Sequence, residues 1–420
     1  MRQGHFGTKK VRTFVAAFFA AVIIIADICL IFSHNKTFSE NENRVLQGAP
    51  ALTAESLASG KFMTLEEDFA ADQFFLRDAW ISLKLTADRI TGKVESNGVY
   101  LGKNGYLLEI PDEPSQYFER NLSAIKNWAD AHSDLNIVMT AVPPSVWVCD
   151  QLRPVGAPCI DIDGIIETIK DSVGSDVDFV DVTETLKAHK TEEIYYKSDH
   201  HFKSLGAKYV FEAMIAALDI ERAVSDYAVL TVTGDFTGTL ASNSGATSVK
   251  DSIEIYIPLV GVSAGDIADM TALYDRAEVT ASAEDMKAAS ESALQNAVKS
   301  SLSYVVEYVD STEKSATIYK SSALEQKDKY QVFLGGNHPL INITTSTDNG
   351  RNLLLIKDSY ANTFIQFLLP YYSTITIVDP RYYSDDLEKL ISDNSITDVL
   401  FFYSENAFVT DNSLFGVLEG

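Results

Sequence analysis

The stretch "NLLLIKDS", from Asn352 to Ser359, decides the predicted fold. Its uninterrupted apolar run is typical of a strand that is buried on both faces of a sheet, and a serine follows the strand closely. Similar short apolar runs recur, with segments of helical spacing between them, at 135–142, 177–182, 374–379 and 398–403. Strands that alternate with helices predict an α/β fold with a parallel sheet covered on both faces.

Polar residues stand where such a sheet would hold a ligand. In parallel sheets, ligands bind beside the carboxyl ends of the strands. The residues that follow a predicted strand, or lie in a loop able to reach that edge, are Pro143, Asp199, Ser359, Arg381 and Asn406. We therefore expect a functional site at this edge of the sheet.

The N-terminal segment predicts a membrane anchor. Basic residues precede the apolar run from Thr13 to Phe32, which only Asp27 interrupts. Twenty residues of helix span a hydrocarbon core of roughly 30 Å. A cleaved signal peptide is the alternative, but no small-x-small cleavage site follows the run. The flanking charges predict cytoplasmic residues 1–12, a signal anchor at 13–32 and an extracytoplasmic remainder at the cell membrane.

Two regions depart from the alternation of strands and helices. Residues 33–95 show apolar residues at helical spacing and predict a helical stalk that precedes a main domain at 96–420. Residues from about 225 to 345 combine β-like pieces with an Ala/Glu/Ser/Lys-rich stretch at 282–300. This composition predicts an α+β subdomain inserted into the main domain.

Charge and cysteine content narrow the functional classes. The formal net charge of −25 argues against a nucleic-acid partner, because phosphates require neutralisation by Lys and Arg. Cys149 and Cys159 bracket a Pro/Gly-rich loop in a compartment that permits disulfides, so we expect a bridge between them, with two free thiols as the alternative. No CxxC or HxxxH spacing accompanies them, which argues against a zinc site.

The tract "YYKSDHHFKS", from Tyr195 to Ser204, places two of the seven histidines of the chain side by side. In an extended segment, Asp199 and His201 would face one side together and His200 would point away. A serine nucleophile needs such an imidazole base and an acceptor that fixes its tautomer. A metal site would need further ligands, and no spacing singles out His338 or Asp181 for that role. Simple packing of the histidines in a loop remains open, as does an ordinary helix-capping role for Ser359.

The same tract resembles the DHHW family of bacterial proteins and, more distantly, the alginate O-acetylation proteins of the SGNH-hydrolase superfamily. Other stretches are similar to the family too, and together they cover nearly the whole chain: "FSENENRVL", "GVYLGKNGYLLE", "FTGTLASNSG", "VFLGGNHPL" and "LLLIKDSYANTFIQFLLPYY". Phe202 stands where the family's motif has tryptophan. The resemblance implies an SGNH-hydrolase-like three-layer α/β/α sandwich with a permuted motif order, because the base precedes the nucleophile.

The resemblance also implies roles for individual residues. Ser359 matches the nucleophile, with Lys357 where glycine is usual, and Asp199 and His201 match the Asp-x-His pair. Asn406 is the implied oxyanion residue. The candidates for substrate contacts are Arg381, Asn337, His338 and His200.

These expectations combine into a membrane-anchored O-acyltransferase. Ser359 would carry an acetyl group to a hydroxyl of an exported or cell-surface polysaccharide. The family analogy implies a membrane-bound O-acyltransferase as the donor partner, and neither a cofactor nor a metal. Two rival hypotheses remain: a carbohydrate esterase with the same triad, and a non-catalytic carbohydrate-binding or scaffold subunit of a surface-polymer complex.

Overall fold

The structure is a computed structural model that describes residues 11–21, 24, 36–39, 44–221, 223–224, 226–259, 302–311 and 313–420. Contacts divide the chain into two compact units, Met1–Lys93 and Val94–Gly420. The predicted stalk at 33–95 overlaps the first unit as far as Lys93, and the described part of this unit is largely helical. Its helices are residues 11–21, Ala54–Ala58, Lys61–Asp72 and Arg77–Ile90, and its strands are β1 (Phe38–Ser39) and β2 (Arg44–Val45).

The predicted anchor lies mostly outside the described residues. Within residues 13–32, only 13–21 and 24 are described, and they are helical. In the described parts of the chain, no helix combines the length and the apolar character that a membrane crossing requires. The anchor therefore stays a prediction from the sequence.

The second unit carries three sheets. A small sheet joins β3 (Glu95–Ser96), β4 (Val99–Leu101) and β5 (Leu107–Glu109), and a two-stranded sheet joins β8 (Tyr227–Phe236) and β9 (Asp251–Pro258). An eight-stranded sheet forms the centre of the unit. Its strands are β6 (Asn136–Val142), β7 (Asp178–Phe179), β10 (Tyr304–Tyr308), β11 (Glu313–Ser315), β12 (Leu340–Thr345), β13 (Asn352–Lys357), β14 (Thr374–Val378) and β15 (Asp398–Ser404).

The large sheet is mixed rather than parallel, which corrects the sequence-based expectation. Its order is β11-β10-β12-β14-β13-β15-β6-β7. The ladders from β14 through β13, β15 and β6 to β7 are parallel, whereas β12, β10 and β11 pair antiparallel. The run "NLLLIK" thus forms a central parallel strand, flanked by β14 and β15. Its six residues carry no charge before Lys357, as burial on both faces requires.

Helices cover the large sheet on both sides. Alternate residues of β13 enter two separate cores, with Leu353 and Leu355 in one and Leu354 and Ile356 in the other. Some helices begin after a polar N-cap residue. The side chain of Asp161, for example, accepts from the backbone N–H of Gly164 at the start of the helix Ile162–Ser172. The α-helices of this unit are Phe118–Ala131, Ser145–Val148, Ile162–Ser172, Thr183–Ala188, Ser204–Met214, Thr239–Ser244, Ala361–Phe364, Leu387–Asp393, Glu405–Thr410 and Leu414–Glu419.

Short 3₁₀ helices complete the second unit. They are Lys103–Gly105, Asp150–Leu152, Ser321–Glu325, Lys329–Val332, Ile365–Phe367 and Leu369–Tyr371. The chain turns sharply at the "LGGN" stretch before β12, where Leu334, Gly335 and Gly336 all have positive φ. Gly336, at φ 106°, adopts a conformation that only glycine reaches readily.

The inserted subdomain expected at about 225–345 differs from the observed arrangement. Strands β10, β11 and β12 extend the large sheet at one edge, so they are part of the main fold. Among the described residues of this region, β8 and β9 alone form a separate hairpin, with the helix Thr239–Ser244 between them. The stretch 282–300 lies outside the described residues. The sequence could not show that β10, β11 and β12 belong to the large sheet, because strands added at a sheet edge and strands of a separate sheet have the same sequence pattern.

Candidate active site

Ser359 occupies the turn that follows β13 at the carboxyl edge of the large sheet. The backbone of this turn is tied on both sides: the N–H of Asp358 donates to the carbonyl of Phe402 at 3.3 Å, and the N–H of Asn362 donates to the carbonyl of Ser359 at 3.2 Å. The phenol of Tyr330 donates to the same Ser359 carbonyl at 3.0 Å. Ser359 itself is half-buried, so part of the residue is accessible to solvent.

Asp358 holds the turn to the neighbouring strand. One carboxylate oxygen accepts from the backbone N–H of Ser404 at 2.9 Å and from its hydroxyl at 2.7 Å. The other accepts from the backbone N–H of Tyr360 at 2.9 Å. Asp358 therefore acts as a structural clamp between the ends of β13 and β15, and its acceptor sites are filled by these donors.

His201 bridges Ser359 and Asp199. Its Nε2 lies 2.9 Å from the Ser359 hydroxyl oxygen, and its Nδ1 lies 2.6 Å from an Asp199 carboxylate oxygen. A carboxylate can only accept, so the proton belongs on Nδ1, and Nε2 is left to accept from the serine hydroxyl. This is the hydrogen-bonding order of a serine nucleophile, an imidazole base and an orienting carboxylate.

Asp199 is buried and fully engaged. Its second oxygen accepts from the backbone N–H of Thr239 at 2.8 Å, and its first also accepts from the backbone N–H of His201 at 3.1 Å. Burial by itself would raise the pKa of Asp199, but electrostatic attraction to His200 and His201, together with these hydrogen bonds, outweighs it and holds the pKa well below its usual value. Asp199 thus remains an anion that can orient His201.

The helix that follows β8 fixes Asp199. A Cβ atom added to Gly238 would lie 2.3 Å from the Asp199 Cβ, so only glycine fits at this approach. The N–H of Gly238 also donates to the hydroxyl of Ser198 at 3.0 Å, and that hydroxyl bonds Asp251 of β9. The hairpin of β8 and β9 therefore holds the loop that carries the aspartate.

The segment around Asp199 is a tight loop rather than the extended segment from which the sequence argument started. Tyr195 and Phe202 form an isolated antiparallel bridge, and the N–H of Tyr196 donates to the carbonyl of His201 at 3.2 Å. The chain thus reverses direction at Ser198–His201. Asp199 and His201 still face one another because the aspartate side chain folds back onto the histidine backbone N–H, a turn that Asp favours.

His200 does not point away from the site. Its ring lies 4.0 Å from that of His201, and its Nδ1 is 3.7 Å from an Asp199 oxygen. The carbonyl of His200 accepts from the phenol of Tyr360. The bond to Ser359 is nevertheless made by His201. His200 is half-buried and lines the site beside the proposed base.

Aromatic rings support the imidazole. The ring of Tyr330 stacks on His201 with a centroid distance of 4.0 Å and an interplanar angle of 14°. Burial raises the pKa of Tyr330 well above its usual value, so its phenol keeps the proton that it donates to Ser359. Phe202 is fully buried and packs edge-on against Tyr360 at 5.0 Å. The position where the family's motif has tryptophan is thus filled by an aromatic ring that still supports the loop.

A metal ion is a chemical alternative for part of this loop. Asp199, His200 and His201 offer ligand atoms that all lie within 4.8 Å of one another, and among the described residues they form the group with this property. Carboxylate and imidazole suit Zn²⁺ and related metals. An ion bound to Nδ1 of His201 would displace the hydrogen bond to Asp199, and an ion bound to Nε2 would displace the hydrogen bond to Ser359.

Lys357 lies directly beneath the turn and is buried. Its ammonium bonds the side-chain oxygen of Asn362 at 2.7 Å and that of Asn337 at 3.2 Å, and a carboxylate oxygen of Asp379 lies 3.8 Å away. Burial lowers the pKa of Lys357 to about 8, although the attraction of Asp379 opposes this shift. Lys357 is therefore a buried cation that donates to two amide oxygens and pairs with the carboxylate of Asp379.

Asn406 and Arg381 have partners of their own. The Asn406 side-chain oxygen accepts from the backbone N–H of Asp112 at 2.7 Å. Arg381 makes a bidentate pair with Asp379, with distances of 2.8 Å and 2.6 Å. The pair with Asp379 uses two of the five N–H donors of the Arg381 guanidinium, and its role in substrate contact stays a prediction.

The other two candidates for substrate contacts share the loop that precedes β12. The side chain of Asn337 is exposed and accepts from Lys357 and from the Asn362 amide at 3.2 Å. His338 bonds Asp310 through Nδ1 at 2.9 Å. Asn337 is therefore connected to the turn of Ser359, whereas His338 is connected to the loop after β10.

The expected disulfide is absent. Cys149 is buried and Cys159 is half-buried, and both are free thiols. Burial raises the pKa of both, that of Cys149 to about 12. Proximity in sequence predicted a bridge, but Cys149 ends a short helix and its side chain joins the apolar core.

Several residues of the site were not predicted from the sequence. Tyr330, Gly238 and Thr239 touch the triad, and Lys357 was noted only as a departure from a pattern. The stretch "FTGTL" contained a usable signal, because a glycine beside a threonine at a strand end often marks a close backbone approach. The partner of that approach, Asp199, is distant in sequence, so only the structure identifies it.

Comparisons with known proteins show similarity in a sequence profile and in fold. A sequence profile described as DHHW protein matches residues 165–264. The crystal structure of a DHHW family protein from Eubacterium siraeum has a TM-score of 0.59 at 22% identity and covers 78% of this chain and 97% of its own. Bacillus cereus PatB1, solved with a sulfonyl adduct, has a TM-score of 0.54 at 18% identity and covers 76% of this chain and 98% of its own.

A third solved structure is less similar. The O-acetyltransferase domain of Pseudomonas putida AlgJ has a TM-score of 0.43 at 11% identity and covers 76% of this chain and 94% of its own. A search of curated proteins found no match. The resemblance to the DHHW family is confirmed by the profile and the first structure. At these identities the structural likenesses show a shared fold.

Proposed function

We propose that this chain, which resembles the DHHW family in sequence and in fold, is a serine O-acyltransferase that acetylates hydroxyl groups of an exported or cell-surface polysaccharide. The observation that carries the proposal is the chain of hydrogen bonds from Ser359 through His201 to Asp199, at 2.9 Å and 2.6 Å. The fold would be the three-layer SGNH-hydrolase-like sandwich, with helices on both faces of the mixed sheet and the base ahead of the nucleophile in sequence.

In the first step, the Ser359 hydroxyl attacks the carbonyl carbon of a donor acetyl ester. His201 takes the serine proton on Nε2, and the resulting tetrahedral oxyanion is held by the backbone N–H of Ser359 in the turn after β13. The oxyanion collapses and expels the donor alkoxide, which takes the proton from Nε2. The products are the free donor alcohol and an acetyl ester on Ser359.

In the second step, an acceptor hydroxyl attacks the Ser359 ester. Nε2 of His201 removes the acceptor proton and returns it to the serine oxygen as that oxygen leaves. Asp199 keeps the imidazole in one tautomer throughout and stabilises its transient positive charge. The acceptor carries the acetyl group away, and Ser359 regains its hydroxyl. Hydrolysis would follow the same route with water as the acceptor.

Transfer is favoured by the resemblance to the alginate O-acetylation proteins, which rests on the Asp-x-His pair and on Ser359. A bound hydroxyl can outcompete water at roughly 55 M, because positioning supplies effective molarities of about 10⁵ M or more. The proposal includes the N-terminal anchor, an extracytoplasmic site and a membrane-bound O-acyltransferase as donor partner. A carbohydrate esterase is the second candidate, because the triad geometry serves both reactions.

Turnover of an aryl acetate tests the proposal. The protein should release acetate slowly when no acceptor is present, and an oligosaccharide acceptor should speed turnover and become acetylated, as mass spectrometry would detect. A sulfonyl fluoride should modify Ser359 and block both activities. Rapid deacetylation of an acetylated polymer, with no transfer to any glycan, would support the esterase. No reaction of Ser359 with either reagent in folded protein would support the scaffold subunit.

A further inference from the structure

Buried cations without a solvent path are costly, so the position of Lys357 requires an explanation. Its side chain is fully buried, and Lys357 lies two residues before the nucleophile Ser359. An ammonium removed from water needs compensating acceptors, and its desolvation costs several kcal/mol even after relaxation. Lys357 has acceptors from three separate elements: Asn362 after the nucleophile, Asn337 before β12 and Asp379 at the end of β14.

The ammonium determines how the two amides are oriented. Lysine has three donors and no acceptor, so both Asn337 and Asn362 must turn their carbonyl oxygens toward it. The Asn362 amide N–H donates to the same Asn337 oxygen at 3.2 Å, which adds a second reason for that orientation. The NH₂ group of Asn337 is therefore directed away from Lys357. Asn337 is exposed, so this NH₂ group faces the accessible side of the loop.

The same network is tied to the nucleophile. The backbone N–H of Asn362 donates to the Ser359 carbonyl, and Lys357 is the last residue of the strand that delivers Ser359. Asp379 does not depend on Lys357 for its charge balance, because Arg381 pairs with it at 2.6 Å. Loss of the ammonium would thus release the amides without leaving Asp379 as an unpaired buried charge.

We propose that Lys357 is a positioning residue for acyl transfer: its ammonium fixes the Asn337 amide so that the NH₂ group donates to the acyl oxygen at Ser359. This inference rests on the proposed function. It adds a side-chain donor at Asn337 to Asn406, the oxyanion residue that the family resemblance implies, whose side-chain oxygen accepts from the Asp112 N–H. Asn337 would contact the reacting ester, and Lys357 acts through it.

The charge of Lys357 makes the arrangement pH-dependent. The charged and titratable groups that face its ammonium are Asp379, Arg381 and Asp358. Burial lowers the Lys357 pKa to about 8, so the ammonium is lost as the pH rises through that value. A neutral amine bonds the two carbonyl oxygens more weakly and has a lone pair that can accept from a flipped amide. The acylation rate should therefore fall above about pH 8.

The test measures the rate at which an aryl acetate acetylates Ser359, which needs no acceptor. Lys357→Met and Asn337→Ala should each slow this step by about 10²–10³-fold, as loss of one oxyanion donor does. The double variant should be no more than about 3-fold slower than either single variant, because both changes remove one interaction. Lys389→Met, which removes an exposed lysine paired with Asp393, is the matched control and should leave the rate unchanged.

The pH profile separates positioning from general structural support. The decline above about pH 8 should be present in the unmodified protein and absent in Asn337→Ala, although that variant keeps Lys357. Because Asn337 is exposed, this second variant remains informative if Lys357→Met does not fold. The inference would be overturned if the rate losses of the two single variants multiplied in the double variant. It would also be overturned if Asn337→Ala kept the decline in rate above about pH 8. Absence of acetylation in the unmodified protein would instead contradict the proposed function.

Discussion

The three residues of the candidate triad come from two short sequence stretches that lie far apart in the chain. Asp199 and His201 share one loop, and Ser359 lies in the turn after β13. The hydrogen bond from His201 to Asp199 is 2.6 Å long, and that between His201 and Ser359 is 2.9 Å. The sequence suggested the residue types and a family resemblance, which together identified this group. It could not show Tyr330 or Gly238, because their contacts with the triad depend on the packing of distant elements.

The two cysteines provide a test at the residue scale. Cys149 is 2% exposed and burial raises its pKa to about 12, whereas Cys159 is half-buried. Since the thiolate is the reactive form, iodoacetamide should alkylate Cys159 at least about tenfold faster than Cys149 in the folded protein. Peptide mapping after timed alkylation measures this ratio. Both thiols should react in denaturant, and a requirement for prior reduction would indicate the disulfide after all.

Glu405 provides a second test at this scale. Its side chain is buried and both carboxylate oxygens lack a partner in the described structure. Burial, with Glu109 and Asp112 nearby, raises its pKa to about 8. The folded state then holds a proton that the unfolded state releases above about pH 4.5, so this group contributes stability at low pH that is lost as the pH rises toward 8.

Glu405→Gln should remove that pH-dependent loss. At pH 5 the variant and the unmodified protein should melt at similar temperatures, and at pH 8 the variant should melt a few degrees higher, at roughly 2–4 °C per kcal/mol. Differential scanning calorimetry at the two pH values measures the change. Glu167→Gln alters an exposed carboxylate and should show no such trend. An equal shift at both pH values would mean that ionisation of Glu405 is not the cause.

At the scale of elements, the hairpin of β8 and β9 holds the base in place from outside the large sheet. Asp251 of β9 accepts from the backbone N–H groups of Lys197 and Ser198, at 2.9 Å and 2.8 Å. Thr239, after β8, bonds Asp199 directly. We therefore expect this hairpin, which the sequence predicted to be part of an insertion, to contribute to the orientation of the Asp-His pair.

Gly238→Ala tests this role. The added methyl group would lie 2.3 Å and 2.4 Å from the Cβ and Oδ2 of Asp199, so the aspartate must move. A displacement of this size near the chemistry lowers the rate by about 10²-fold or more. Gly234→Ala is the matched control, because a Cβ there meets nothing within 4 Å. Acylation rates of the two variants, with their melting temperatures, give the comparison, and equal rates would exclude the proposed role of the hairpin.

The elements also show which parts of the fold a sequence can predict. The central strands β6, β13, β14 and β15 are continuous apolar runs, and the sequence predicted them because burial on both faces leaves this signature. The antiparallel strands at the other edge, β10 to β12, show a mixed pattern with charged residues, which is equally typical of a separate subdomain. Their place in the large sheet depends on pairing with β14, and no local pattern records that pairing.

At the scale of the whole molecule, the second unit contains every residue of the proposed chemistry. The triad, Lys357 and Asn337 all lie within Val94–Gly420. The acyl-enzyme step therefore belongs to this unit, whereas the anchor and the donor partner remain proposals that concern delivery of the acetyl group. Transfer and hydrolysis both pass through the same ester on Ser359, so this ester is the intermediate that the two proposed reactions share.

The most direct test is therefore to detect that ester. The protein is mixed with an aryl acetate, quenched in acid and analysed by intact mass and peptide mapping. We expect a mass increase of one acetyl group, located on Ser359. The increase should be absent in Ser359→Ala and at least about 100-fold slower in His201→Ala, with both variants folded. An unmodified protein that acquires no acetyl group, or acquires it on a different side chain, would contradict the assignment of Ser359 as the nucleophile.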